Sequence, residues 1–399
     1  MKKLRETFLA DSPFGAFLLS VLMAGVAYGI YKGVIDNYLV EIVGATEMDK
    51  GVTEFFRELP GALLVFILAA FYTVSAEGLF KAGSLIILIG MAMHAVLPPT
   101  KVLITVAILV FSTGDHIRIG MRNTLTLNYS VPGRGGEALG YQSSTAQIGQ
   151  LAGFIAVTLL YKHLPAGGAY KIFFCAAAVL EGLSLVFTRR VKGKSRMDEH
   201  KRRFFFNRKF RKYYMLEVFY GARKQVFFTF GPYVLILLYG AKATAVSLLF
   251  ALSSVASFLL APCVGKLIDR VGYKKVMIAD TLILVIVCFF YGFAHHIFPE
   301  RIAFYICCLN YILDSVISLA SLASNVYVQD LSENEDEMKA TISTGLSVNH
   351  IITIFIALFG GWIWKTLGVE TLFILSAVLG LCNSAYAATI KPKSAAVGQ

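Results

Sequence analysis

The feature that most restricts this chain is its succession of apolar runs. Several approach or exceed the roughly 20 residues a helix needs to cross the hydrocarbon of a bilayer. "ALLVFILAAFYTV", "SLIILIGMAMHAVL", "VLITVAILVF" and "TLILVIVCFFYGFA" are examples. Of the 399 residues, 57% are hydrophobic and 16% charged, whereas a soluble domain carries about a quarter charged residues. An all-α membrane protein is expected, with no soluble domain of any size.

Breaks at Gly, Pro and charge divide the chain into twelve expected transmembrane helices. Six lie at 13–40, 58–79, 82–98, 101–126, 138–162 and 168–188. Six more lie at 209–239, 243–265, 274–296, 301–328, 339–363 and 368–390. The expected domains are a six-helix bundle over 1–188, a basic linker over 189–208 and a second six-helix bundle over 209–399. The net charge of +12 collects between spans, in the linker, the N-terminus (Lys2, Lys3, Arg5), Lys266 to Lys275, Lys391 and Lys393. That placement argues against nucleic acid as a partner. By the positive-inside rule it puts both termini and the linker in the cytoplasm, at a cell (inner) membrane. The opposite loops hold Asp36, Glu41, Glu47 and Asp49. The first apolar stretch is long and lacks a small-residue cleavage site, so it reads as a span and not a removable leader. Cys175, Cys263, Cys288, Cys307, Cys308 and Cys382 all lie in apolar runs without metal-type spacing, so buried packing and no metal are expected.

An internal repeat is visible. "YGIYKG" at 28–33 and "YGARKQ" at 220–225 place Tyr28-Gly29 and Lys32 over Tyr220-Gly221 and Lys224 at an offset of 192. The same offset sets "FILAA" at 66–70 on "FLLAP" at 258–262 and Glu77 on Asp269, and Asp115 meets Asp314 if the offset drifts to 199. Several matches in one register indicate a duplication into two pseudo-symmetric bundles, with a solute path expected between them.

The stretch "GKLIDRVGYKK" at 265–275 resembles the conserved cytoplasmic loop of the major facilitator superfamily, G-x-L-x-D-R-x-G-R/K-K. The resemblance implies that Asp269 and Arg270 serve a gate, Asp269 meeting a helix N-terminus and Arg270 a carboxylate. The equivalent first-half stretch, "VSAEGLFKAGS", keeps Glu77, Gly78 and Lys81 in degenerate form. The fifth span, "GYQSSTAQIGQLAGF", lacks the Gly-Pro pair of that family's drug/proton antiporters.

Charges inside spans are costly and face water or one another. In the fourth span Asp115, Arg118 and Arg122 share one face. Asp115 is read as ion-coupling and Arg118 as substrate-binding, and Arg122, nearer the inner surface, as a gate residue. His116 points away and is read as a packing residue. Lys32 and Lys224, each one turn after a tyrosine (Tyr28, Tyr220), can hold a carboxylate or phosphate beside a ring. The plainer reading is ion pairing, of Lys32 with Asp36 and of Lys224 with Glu217. Gln225 and Arg223 flank Lys224 on different faces. Asp314, near the midplane of the tenth span, is a candidate proton carrier unless Arg118 pairs with it. Asn349 is read as substrate-binding, and His350 as ion-coupling opposite Asp314. Gln142, Gln147 and Gln150 give the fifth span a polar face, with Gln147 chosen for the site. Ser318, Ala320, Ser321, Ala323 and Ser324 suggest close helix packing. At the outer mouth Glu54, Arg57 and Glu58 precede Pro60, and Arg57 with Glu58 is read as an outer gate latch.

The expected function is secondary active transport of a small polar, anionic-leaning solute by alternating access, coupled to protons or sodium, by a monomer in the lipid bilayer. The alternatives are export of amphipathic drugs or lysolipids by proton antiport and, in a different class, a non-transporting sensor. No GxxxxGK[ST] or HExxH occurs, so no nucleotide cofactor and no enzyme activity are expected.

Overall fold

The computed structural model describes residues 13–71, 73–130, 134–165, 167–188 and 206–390. Residues 189–205 of the expected linker lie outside these, as do Lys2, Lys3, Arg5, Lys391 and Lys393. All regular structure among the described residues is helical. The α-helices are α1 (Pro13–Glu41), α2 (Glu47–Ala62), α3 (Leu64–Ala70), α4 (Ala76–Val96), α5 (Lys101–Asn128), α6 (Gly135–Leu160) and α7 (Ala169–Thr188). They continue with α8 (Arg211–Tyr239), α9 (Ala243–Val271), α10 (Tyr273–Ile297), α11 (Glu300–Ile317), α12 (Leu322–Leu331), α13 (Glu335–Leu367) and α14 (Val369–Ala388).

Local chemistry sets many of the ends. Ser75, Thr100 and Asn334 accept backbone N–H bonds from Gly78, Leu103 and Glu337 and so cap α4, α5 and α13. Gly240 closes α8 at φ +63°, a left-handed position that favours glycine. The tenth span is one α-helix only to Ile317; a 3-10 turn at Ser318–Ser321 then leads into α12. The second span departs furthest from expectation. The stretch 58–79 is not one helix: α2 begins at Glu47, carries Pro60, and gives way to the short α3, with a further break before α4. Proline removes a helical hydrogen bond and clashes with the preceding turn.

Among the described residues, ten helical stretches are long and apolar enough to cross a membrane. Neither α2–α3, which is broken, nor α8, which carries Lys212, Glu217, Arg223 and Lys224, is among them. Large apolar side chains such as Phe66, Val96, Val102, Val179 and Leu282 are more than 60% exposed, as expected where the surrounding solvent is hydrocarbon. The same reason corrects the expectation for the cysteines. Cys288 and Cys307 are buried, but Cys175, Cys263 and Cys382 are exposed, because an outer face turned to lipid can be as apolar as a core.

The chain divides into two compact units. The first comprises Met1–Ala45, Leu59–Lys201 and Lys242–Ala251; the second comprises Thr46–Glu58, Arg202–Ala241 and Leu252–Gln399. Within the first, α1 packs on α6 and α7, and α4 on α5 and α7. Within the second, α8 packs on α13 and α14, and α10 on α11 and α14, the same neighbour pattern. The repeated Tyr-Gly pairs lie at equivalent crossings. A Cβ on Gly29 would stand 2.2 Å from the Gln150 carbonyl oxygen and 3.0 Å from Gly153 Cα, so α1 and α6 meet backbone to backbone. A Cβ on Gly221 would meet the Asn349 side-chain amide at 2.8 Å, so α8 and α13 are spaced by one side chain.

Candidate functional site

In the first unit a cavity of about 170 Å³ is lined by Tyr28, Asp115, Arg118, Arg122 and Gln150, with Val21, Ala24, Gly25, Phe80, Ile119 and Ala146 as its apolar wall. Arg118 is held on two sides. Its Nη1 donates to both carboxylate oxygens of Glu181 on α7 at 2.9 and 3.0 Å, and its Nη2 to Asp115 at 3.1 Å. Glu181 is fully buried. These are charge-assisted bonds, with one guanidinium nitrogen shared between both Glu181 oxygens and another spent on Asp115, and in low dielectric neither charge is stable alone. Arg122 is half-buried, and its Nε has no hydrogen-bond partner. Tyr28 lies over Phe111 with ring centroids 6.3 Å apart. His116 bonds to Ser112 of its own helix. Gln147 lies apart from the cavity: it is exposed and donates to Ser143 one turn earlier.

Lys32 forms the local pair anticipated as its plainer role. Its Nζ donates to Asp36 Oδ2 at 2.8 Å and lies 5.4 Å from the Phe250 ring centroid.

In the second unit Lys224 is exposed, with its ammonium 5.8 Å from the Tyr220 ring centroid. It makes no ion pair with Glu217, whose oxygens instead accept from Ser324 Oγ at 3.0 Å and Asn349 Nδ2 at 3.3 Å. The Tyr220 hydroxyl donates to the Ser318 carbonyl at 2.9 Å. Gln225 is buried and spends its amide on Thr229 of its own helix. Arg223 is 1% exposed and bonds Asp280 on α10 at 2.8 Å. Asp314 is buried, and its Oδ1 has no hydrogen-bond partner. The partners of Arg118 are Glu181 and Asp115, so it is not the residue that compensates Asp314.

The α2 cluster is a largely buried network. Lys50 donates to Glu54 at 2.7 Å, Arg57 bonds both Glu54 and Glu58, and Arg57 lies 4.7 Å from the Phe228 ring centroid. Glu58 in turn accepts from Thr353 at 3.2 Å and bonds His350 Nδ1 at 3.0 Å. His350 is therefore joined to Glu58, where the sequence had suggested Asp314. Asp269 and Arg270 are exposed on the last turn of α9, a helical turn and not a loop; the chain reverses only at Gly272, φ +87°.

Three residues that the sequence reading did not select complete these networks: Glu181, Asp280 and Lys50. The two acids lie in mid-span and their partners are 63 and 57 residues away, beyond any helical spacing. The rule that an intramembrane cation needs an anion would have pointed to them. His295, His296 and Glu370 also bring three metal-type donor atoms within 4.8 Å of one another at one end of α10 and α14.

The sequence model of the Major Facilitator Superfamily matches residues 213–397. No curated protein matches the sequence. Among solved structures, the nucleoside transporter NupG superposes with a TM-score of 0.74 at 14% identity, over 95% of this chain and 99% of its own. A D-xylose-proton symporter gives 0.74 at 12% identity, over 95% and 97%. A POT family transporter in complex with 5-aminolevulinic acid gives 0.73 at 12% identity, over 93% and 94%. At such identities these likenesses establish the fold.

Proposed function

We propose that this multi-pass membrane protein is a member of the Major Facilitator Superfamily, whose sequence model matches residues 213–397, and that it is a secondary active transporter of a small polar solute bearing a carboxylate or phosphate. It works by alternating access, opening its site to one side of the membrane at a time. In this reading α2–α3 and α8 also span, which makes twelve helices in two pseudo-symmetric bundles joined by the basic linker. The shared neighbour pattern of the two units supports that duplication. Both termini are cytoplasmic, the protein resides in the cell (inner) membrane, and the monomer is the working form.

The observation that carries the reading is the charged wall of the 170 Å³ cavity. Glu181 and Asp115 hold Arg118 in place, while Arg122 presents a guanidinium nitrogen without a partner. With Tyr28 and Gln150 beside it, this surface suits an anionic headgroup and a compact polar body. Lys224, Tyr220 and Asn349 are assigned to substrate in the second unit, and Asp115, Asp314 and His350 to coupling of a proton or sodium. The Arg57–Glu58–His350 network and the exposed Asp269 and Arg270 are assigned to gates.

Reconstitution tests this directly. Solute should accumulate in proteoliposomes under an imposed proton or sodium gradient and collapse when that gradient is dissipated. Flux indifferent to every ion gradient, or no flux for any carboxylate or phosphate metabolite, rejects the proposal.

A further inference from the structure

We propose that the second unit binds one monovalent alkali cation, sodium by size, in the small cavity bounded by Glu217, Asp280, Ser321, Ser324 and Asn383. The proposal adds to the transport reading above a coupling-ion site separate from Asp115, Asp314 and His350, and it rests on that reading only for the coupling.

Three observations converge. The cavity holds about 20 Å³, room for one water-sized occupant. Its polar lining offers carboxylate, hydroxyl and amide oxygens, the donor set of a hard cation and not of a soft one. Asn383 is 5% exposed, and its Oδ1 has no hydrogen-bond donor. A buried carbonyl oxygen left in that state is costly, and a cation supplies what no neighbouring N–H or O–H does.

The charge balance selects the valence. The Asp280 carboxylate is met by the Arg223 guanidinium at 2.8 Å. The Glu217 carboxylate is 8% exposed and receives only neutral donors, Ser324 Oγ and Asn349 Nδ2. It has no ion pair among the described residues. Lys224 acts on Glu217 only from beyond ion-pair distance, so this carboxylate has no cation in contact; a monovalent ion would supply one and a divalent ion would overshoot. The volume favours a small ion over potassium.

The placement suits coupling. The lining residues come from α8, α10, the 3-10 turn at Ser318–Ser321, α12 and α14. A bound ion would tie these elements together, whereas its loss would leave Glu217 charged and the elements free to separate. Asn349, the second donor to Glu217, stands against Gly221 at the α8–α13 crossing, so occupancy bears on the helix that carries Tyr220 and Lys224.

The test uses the purified full-length chain and radioactive sodium, with thermal unfolding in sodium, lithium, potassium or choline chloride at equal ionic strength. The expected result is saturable binding of one sodium per chain, displaced by lithium and far less by potassium, and an unfolding temperature raised by sodium. Glu217→Gln and Asn383→Ala should each weaken binding at least tenfold. Asn383→Ala removes the orphaned oxygen without breaking an ion pair, so it serves where Glu217→Gln does not fold. Absence of saturable sodium binding to the wild type overturns the proposal whatever the variants do, as does unchanged binding in a folded variant. Sodium bound by a protein that moves no solute would reject the transport reading and leave this site standing. Driven solute flux without sodium binding would do the reverse.

Discussion

Arg118 is the residue on which the first unit's polar interior depends. Its removal strands Glu181, a fully buried carboxylate bonded through both oxygens. Breaking one side of such a pair costs about 3–5 kcal/mol, whereas replacing both sides with apolar groups is often neutral. Arg118→Leu is therefore expected to lower the unfolding midpoint sharply, and Arg118→Leu with Glu181→Leu to restore it. Uptake should be lost in both, because the cavity wall loses one of its two guanidiniums, the one that Asp115 and Glu181 hold in place. A double variant that transports normally would assign the pair to stability alone. The site was partly legible at this scale. Asp115, Arg118 and Arg122 could be grouped because helical spacing fixes which side chains share a face. Glu181 and Asp280 could not, since their contacts arise from helix packing that leaves no local periodic trace. Gln147 was misplaced because a polar residue on a half-polar helix says nothing about which side is wet.

Among the elements, the glycine crossings differ in how much they can give. At Gly29 an added methyl would press on the Gln150 carbonyl and on Gly153, both backbone; at Gly221 it would press on the movable Asn349 amide. Gly29→Ala should thus destabilise by about 1–3 kcal/mol, the range for overpacking, and Gly221→Ala by less, as thermal unfolding would show. Outside the spans, Lys209 bonds Glu333 at 3.0 Å and Glu337 at 3.3 Å. The bond to Glu333 raises the Lys209 ammonium above its ordinary pKa. The backbone N–H of Glu333, and then Lys209, lower the Glu337 carboxyl below its own. A lowered acid contributes stability above its unfolded pKa of about 4.3 and loses it as pH falls through the folded value. A raised lysine contributes below about 10.4 and loses it as pH rises through its folded value. The contribution should be flat from about pH 5 to 10, no more than about 1 kcal/mol, and weakened by salt. Glu337→Gln should flatten the acidic limb of the unfolding profile. Most helix limits were readable from sequence because apolar run length is set by the bilayer. The second span was not, because 58–79 is apolar enough to pass as continuous and Pro60 and Gly61 could be read as a bend near its start, whereas they precede a full break at Leu63.

For the whole molecule, the basic segments predict that tags at either end react only from the cytoplasmic side; labelling of one tag from outside would refute that topology. A division into two units was foreseeable because residue types repeat in register. The assignment of 46–58 to the second unit and 242–251 to the first was not, since it depends on which neighbours each half-helix finds. One feature of α8 reaches into how the protein is made. That helix carries Arg223, whose carboxylate partner on α10 emerges from the ribosome 57 residues later. An arginine without its partner is expensive in hydrocarbon. The nascent α8 should therefore linger at the insertion machinery, or at the lipid surface, until α10 is synthesised. In chains truncated before Tyr273 a cysteine introduced beside Arg223 should react with a water-borne thiol reagent, and in chains extended past Ile297 it should not.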